Sequence, residues 1–163
     1  MSEQARADRY IRIRRQLERE FAKTADVTAR MATAAALLHH KMPHFFWTGF
    51  YLLRGGELIV GPYQGSLACL VLRPQHSGVC WACVDRAEPV LVADVHAFPG
   101  HIACDSRSRS EVVVPLRDRA GAVVGVFDID SDQPGAFDAI DQDGLVAVAD
   151  MIHGFAAATD SRS

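Results

Sequence analysis

No stretch of this 163-residue chain approaches the 18 or more apolar residues of a membrane span, and the N-terminus lacks the continuous apolar run of a secretory leader. A membrane role is therefore not expected, and a cytosolic setting is the working assumption. Basic residues interleaved with aromatics are also missing. With a formal net charge of -3 the chain has no excess of positive charge, so no nucleic-acid partner is expected. Internal repeats and low-complexity linkers are absent, which argues against an array or a multidomain chain, and residues 1–163 are read as one domain. Cysteine is scarce at four residues, and in a cytosolic protein these read as free thiols, catalytic thiols or metal ligands rather than structural staples.

What the chain does have is apolar content, 49% of its residues, enough for a sizeable core. Six arginines between Arg6 and Arg19 mark a basic helical face that is either simply solvated or docks a partner. Ile13, Leu17 and Phe21, then Val27, Met31, Ala35 and Leu38, form two slightly offset apolar stripes. They predict two helices or one bent helix over about 3–41, ending before Pro43. Phe45 to Leu53, Leu58 to Gly61 and Leu67 to Leu72 read as strands, the first two joined by a hairpin at Arg54-Gly-Gly-Glu57. Ser77 is a candidate cap for a short helix running to Arg86. Val90 to Ala93 is extended, and residues 94–109 form a long loop. Val112 to Leu116 and Val123 to Ile129 are strands across a turn at Asp118-Arg-Ala-Gly121. Asp138 caps a last helix with Leu145, Val148, Ile152 and Phe155 facing inward. Adjacent strands joined by short turns, with helices at both ends, predict an α+β domain on an antiparallel sheet.

Chemistry concentrates around the cysteines. Cys104 stands in a polar loop near His96, His101, Arg107 and Arg109, and positive neighbours lower a thiol pKa. It is a candidate catalytic thiol, with metal ligand or inert thiol as the alternatives. If folding brings Cys69 to it, one can attack and the other can resolve a sulfenic acid as a disulfide. Cys80-Trp-Ala-Cys83 is a bare CxxC without a βαβ setting. Cys80 gains some acidity if it opens a helix; alternatively one of the pair is a buried small hydrophobe. The four cysteines with His76, His96 and His101 supply enough donors for zinc, but spacings of 10, 2 and 20 intervening residues lack a second close pair, and no stoichiometric zinc is expected. Asp128 and Asp130 flank Ile129 on one strand face and, with Glu111, bind an ammonium, share a proton, or merely end a strand in solvent. Trp47 and Tyr51 share a strand face as pocket walls or core aromatics.

Beyond these readings, the chain resembles the GAF-domain free methionine-(R)-sulfoxide reductases. The resemblance runs in order through Trp47-Thr-Gly-Phe-Tyr-Leu-Leu53, Gly61-Pro-Tyr-Gln-Gly65 with Ala68-Cys69, Gly78-Val-Cys80, Asp94-Val-His-Ala-Phe-Pro-Gly-His-Ile-Ala-Cys-Asp105, Ser110-Glu-Val-Val-Val-Pro115 and Gly125-Val-Phe-Asp-Ile-Asp-Ser131. It implies a GAF-like α+β fold, with an antiparallel sheet of about six strands and helices mainly on one side. It also implies thiol-dependent reduction of free methionine-(R)-sulfoxide without metal or organic cofactor. By the same resemblance Cys104 attacks, Cys69 resolves, and Cys80 takes part in disulfide exchange. Glu111, Asp128 and Asp130 hold the amino group or assist protonation, and Trp47 and Tyr51 wall the methyl-sulfur end. Thioredoxin or a similar dithiol is the implied reductant, and a homodimer through the N-terminal helices the implied assembly. The alternatives are a non-catalytic GAF ligand-binding or sensory module and a thiol peroxidase. Two departures are local: the family follows its third cysteine with glycine-threonine-alanine, whereas here Trp81 alters the local packing and Cys83 is an additional thiol able to compete for a disulfide, which leaves the route of reduction open.

Overall fold

The computed structural model describes residues 1–76, 78–101 and 104–158. Two helices come first, α1 (Glu3–Phe21) and α2 (Val27–Lys41), so the offset between the two apolar stripes marks a break. Asp26 makes that break by accepting a hydrogen bond from the Ala29 backbone at the start of α2. β1 (Trp47–Arg54) and β2 (Glu57–Gln64) form the expected hairpin, followed by β3 (Val71–Leu72), α3 (Val79–Arg86), β4 (Val90–Val92), β5 (Ser110–Arg117), β6 (Val123–Ser131) and α4 (Ala139–His153). The six strands lie in the order β3-β2-β1-β6-β5-β4, with every pairing antiparallel.

Strand alternation divides the molecule into two cores. Phe50, Val112, Val114, Leu116, Phe127 and Ile129 face α2 and α4, with α1 stacked on α4. Phe50 and Phe127, paired across β1 and β6, stack at 4.2 Å between centroids and are fully buried. The opposite side chains, Trp47, Tyr51, Val113 and Val126, face α3 and the long loops, and this second core holds the site. α4 is tied to α1 by buried Asp141, which accepts hydrogen bonds from Tyr10 Oη at 2.8 Å and from His44 Nε2 at 2.9 Å. Asp138 and Asp141 complete a reciprocal cap at the start of α4.

Four local expectations are corrected. Residues 67–70 are not strand: Leu67 and Leu70 are 86% and 69% exposed, and only Val71 and Leu72 pair with β2. β2 runs past Gly61 to Gln64 because a register shift opposite Phe50 accommodates Pro62, which has no N–H for a ladder. Ser77 lies outside the described residues, and the position that caps α3 is Gly78, with no side-chain hydrogen bond. Phe155 is beyond α4, whose end is set by Gly154 in the left-handed region at φ 73°; Phe155 instead lies under the Arg117 guanidinium.

Candidate active site

Register on three adjacent strands assembles the floor of a pocket. Glu111 on β5 pairs with Asp130 on β6, Asp130 pairs in turn with Trp47 on β1, and Asp128 pairs with Gly49. The lack of a side chain at Gly49 matters here. A Cβ there would overlap Tyr63 Cβ and stand 2.6 Å from Trp47 Cη2, so glycine is what lets the Trp47 indole lie flat. Trp47 stacks on Tyr63 at 5.3 Å and on Tyr51 at 5.9 Å, giving the pocket one flat aromatic wall. α3 brings Cys80 and Trp81 to the opposite side, and Ser66, Leu67 and Ala68 on one loop with His101, Cys104, Asp105 and Ser108 on another form the mouth. The pocket and its open mouth together enclose about 630 Å³, part of it open to solvent.

The aromatic residues also hold the cysteine-bearing loop in place. Trp47 Nε1 donates to the Ser66 carbonyl at 3.1 Å, Tyr51 Oη to the Cys69 carbonyl at 3.0 Å, and Trp81 Nε1 to the Leu72 carbonyl at 3.0 Å. Cys69 and Cys104 form a disulfide with Cα atoms 5.4 Å apart, joining the two mouth loops across 35 residues of sequence. A second tether runs from Ser66 Oγ to Asp105 Oδ2 at 2.7 Å. Cys80 and Cys83 are free and buried.

The electrostatics differ from the expected positive bias at Cys104. The Arg107 guanidinium is engaged by Asp105 and lies over the Phe46 ring at 4.8 Å, Arg109 is exposed, and His96 sits beside Asp94. Hydrogen bonds from Arg107 and Ser66 hold the Asp105 carboxyl well below the usual range. Among the described residues that line the pocket, His101 is the one basic side chain, and burial with His96 nearby lowers its pKa. The pocket is acidic instead. Burial first, then Asp128 and Asp130, push the Glu111 carboxyl well up, and burial lifts Asp128 to about 6. Asp130 is raised for the same reasons, burial and then Asp128, although its side chain reaches partly to solvent.

Cys80 gains no acidity from its place near the start of α3. Burial and the three acids push its thiol well up, and its Sγ donates to Asp128 Oδ2 at 3.4 Å. Cys83, fully buried, is raised to about 12, mainly by burial, which fits the small-hydrophobe reading for that cysteine. The four cysteines do not converge as one zinc set, because Cys69 and Cys104 are bonded to each other; the His76 side chain lies outside the described residues. The donor group that does converge is Cys80, Glu111 and Asp128.

A carboxyl with a raised folded pKa stabilises the fold below its ordinary value and loses that contribution as pH rises through the folded value. For Asp128, ordinarily near 3.8 and about 6 here, the empty protein should lose up to about 3 kcal/mol between about pH 4 and pH 7. Thermal unfolding midpoints across that range should fall with rising pH, and Asp128→Asn should flatten the slope. An equal slope in that variant would remove Asp128 as its source.

Residues 24–152 match the GAF domain family model. Among curated relatives, free methionine-R-sulfoxide reductase from Escherichia coli (strain K12) is 41% identical over 132 residues, covering 81% of this chain and 79% of that protein. The chain belongs to this GAF-domain reductase family. Protein YtsP from Bacillus subtilis (strain 168) is 42% identical over 140 residues, covering 85% of each chain. The X-ray structure of free methionine-R-sulfoxide reductase from Neisseria meningitidis, in complex with its substrate, superposes with a TM-score of 0.87 at 38% identity, covering 94% of this chain and 90% of that one. Within the reductase family's framework, the site residues expected from sequence, Trp47, Tyr51, Cys69, Cys80, Cys104, Glu111, Asp128 and Asp130, all line this pocket or its mouth; Cys69 enters through its bond to Cys104. Ser66, Asp105 and Ser108 also line the pocket without a role assigned from sequence, and Trp81, noted there only as a departure from the family pattern, is a wall. Adjacency to Cys104 was the available signal for Asp105, whereas Ser66 and Ser108 gave none.

Proposed function

We propose that this protein reduces free methionine-(R)-sulfoxide to methionine with Cys104 as nucleophile and Cys69 as resolving thiol. The observation that carries the reading is a disulfide at the mouth of a pocket floored by buried carboxylates and walled by stacked aromatics. Cys104 thiolate attacks the sulfoxide sulfur while an acid protonates the oxygen. The S–O bond breaks as the protonated oxygen departs as water, water then attacks Cys104 Sγ, and the Cys104–substrate S–S bond breaks with its electron pair passing to methionine, leaving Cys104 as sulfenic acid and returning a proton to solvent. Cys69 attacks that sulfur, the bond closes with loss of water, and a dithiol reductant restores both thiols. The disulfide-bonded structure corresponds to the end of the oxidative half.

The acids divide this work by their environments. Glu111, whose carboxyl burial and Asp128 push well above its usual range, is assigned the proton donor, and Asp128, ionised above about 6, holds the substrate ammonium with Asp130 at its side. Trp47 and Tyr51 take the methyl-sulfur end. Burial and the acids keep Tyr51 a neutral phenol whose hydroxyl is already committed to the Cys69 carbonyl. On the acid side kcat/KM should fall tenfold per pH unit below about 6, as Asp128 takes up a proton. A profile flat down to about pH 4 would remove Asp128 from ammonium binding.

Thioredoxin or a comparable dithiol protein is our assigned reductant, and the exposed Cys104 side of the bridge is where its thiolate would arrive. Assignment to the cytoplasm, to a single domain over 1–163 and to a homodimer through the N-terminal helices belongs to the same proposal. No described helix is long and apolar enough to cross a membrane. Reduced protein incubated separately with the R and S forms of free methionine sulfoxide and dithiothreitol should release methionine from the R form alone. Tight binding of either form without turnover, by folded and reduced protein, would replace this reading with a ligand-binding GAF module.

A further inference from the structure

At the pocket floor, one donor atom from each of Cys80, Glu111 and Asp128 lies within 4.8 Å of the other two, and all three residues are buried. The Cys80 Sγ to Asp128 Oδ2 distance is 3.4 Å. A tetrahedral zinc with ordinary Zn–S and Zn–O bonds sets a sulfur-to-oxygen separation of about 3.6 Å, so this pair already stands at a ligand bite. The third donor atom, from Glu111, lies within 4.8 Å of the other two and closes onto the ion by rotation of its carboxyl. A second observation points the same way. Asp128 is only 5% exposed, and its buried Oδ1 has no N–H or alcohol donor among the described residues; the neighbours of its carboxyl are the Cys80 thiol and the Glu111 carboxyl. Its charge is relieved by a proton shared with Glu111 or by a cation arriving from the pocket.

We propose that Cys80, Glu111 and Asp128 bind a thiophilic divalent cation, zinc being the best match, which enters from the pocket and excludes the amino-acid substrate. One thiolate and two carboxylates supply three ligands, and the fourth position opens on the pocket for water. Binding displaces the Cys80 thiol proton and the proton shared by the acids to solvent. The ion is a reversible competitor with no part in turnover, held by a donor set other than the four-cysteine one whose spacing argued against stoichiometric zinc, so this site departs from that expectation. The exclusion of substrate rests on the function proposed above, whereas the cation site stands on geometry alone.

The test uses folded protein with the Cys69–Cys104 disulfide formed, so neither of those sulfurs can coordinate. Calorimetric titration with zinc chloride should show one ion bound per chain. Cobalt(II) in its place should give a thiolate-to-metal charge-transfer band that Cys80→Ser abolishes and Cys83→Ser retains. Asp128→Asn should weaken zinc binding by more than about tenfold, and free methionine should displace the ion. The site is refuted by absence of zinc uptake, by a charge-transfer band surviving in Cys80→Ser, or, if that variant does not fold, by unchanged affinity in Asp128→Asn. Zinc that methionine fails to displace refutes the exclusion of substrate. Bound zinc in a protein that never turns over methionine-(R)-sulfoxide would refute the proposed function and leave this site standing.

Discussion

Cys104→Ser is expected to lower methionine release by more than about a thousandfold, even with excess dithiothreitol. The reason lies in which thiol can reach a ligand. Cys80 and Cys83 are buried with thiols pushed up by desolvation, and neither is a thiolate in useful amount near neutral pH. Cys69 is half-buried and fixed through its own carbonyl to Tyr51. Cys104 alone combines exposure, a place in the pocket lining and a partner positioned to resolve it. Cys69→Ser should behave differently. Prereduced protein without reductant should still release about one methionine per chain and accumulate a sulfenic acid that dimedone traps, because attack precedes resolution. Substantial turnover by Cys104→Ser would assign the nucleophile wrongly. A Cys69→Ser variant unable to complete even one equivalent would dissolve the division of labour between the two.

The second large effect concerns the buried acids. Asp128→Asn should reduce kcat/KM for the free amino acid by about a hundredfold to a thousandfold, the size expected when one partner of a buried charge pair is removed. The same change should hardly alter the slow turnover of N-acetylmethionine sulfoxide, which has no ammonium to lose. In the wild-type pocket that acetylated substrate leaves the carboxylates desolvated and unpaired, so its kcat/KM should lie at least about a hundredfold below that of the free amino acid. Glu111→Gln should instead lower kcat for both substrates, since the amide cannot supply a proton to the sulfoxide oxygen. Equal wild-type turnover of the free and acetylated forms would refute the ammonium role of this cluster.

Much of the fold could be read from the chain because periodicity is a local property. Asp26 and Asp138 cap the helices they precede, the two glycines after Arg54 turn β1 into β2, and Phe127 and Ile129 point away from Asp128 and Asp130 as a two-residue repeat requires. Pattern failed where tertiary bonds overrode it. Leu67 to Leu72 is apolar enough for a strand, yet a disulfide at Cys69 and a hydrogen bond from Tyr51 draw that stretch over the pocket, leaving Leu67 and Leu70 in solvent. Nearness in sequence misled at Cys104 for a related reason. Arg107 turns to Asp105, two residues away, so a basic sequence neighbourhood does not become a basic pocket.

The sequence by itself determined the helix and strand types, the faces on which Trp47, Tyr51, Asp128 and Asp130 lie, and the residues able to do thiol chemistry, since each depends on spacing or on functional groups. Spacing alone could not bring Cys69 to Cys104 or Glu111 to the acids across strand register, pairings that the family resemblance implied and tertiary structure makes, and only the tertiary structure decided that Cys80 is a suppressed thiol beside a buried carboxylate. Those outcomes depend on separations between distant segments and on exclusion of water, and both arise only once the sheet, α3 and the two mouth loops have closed around one space.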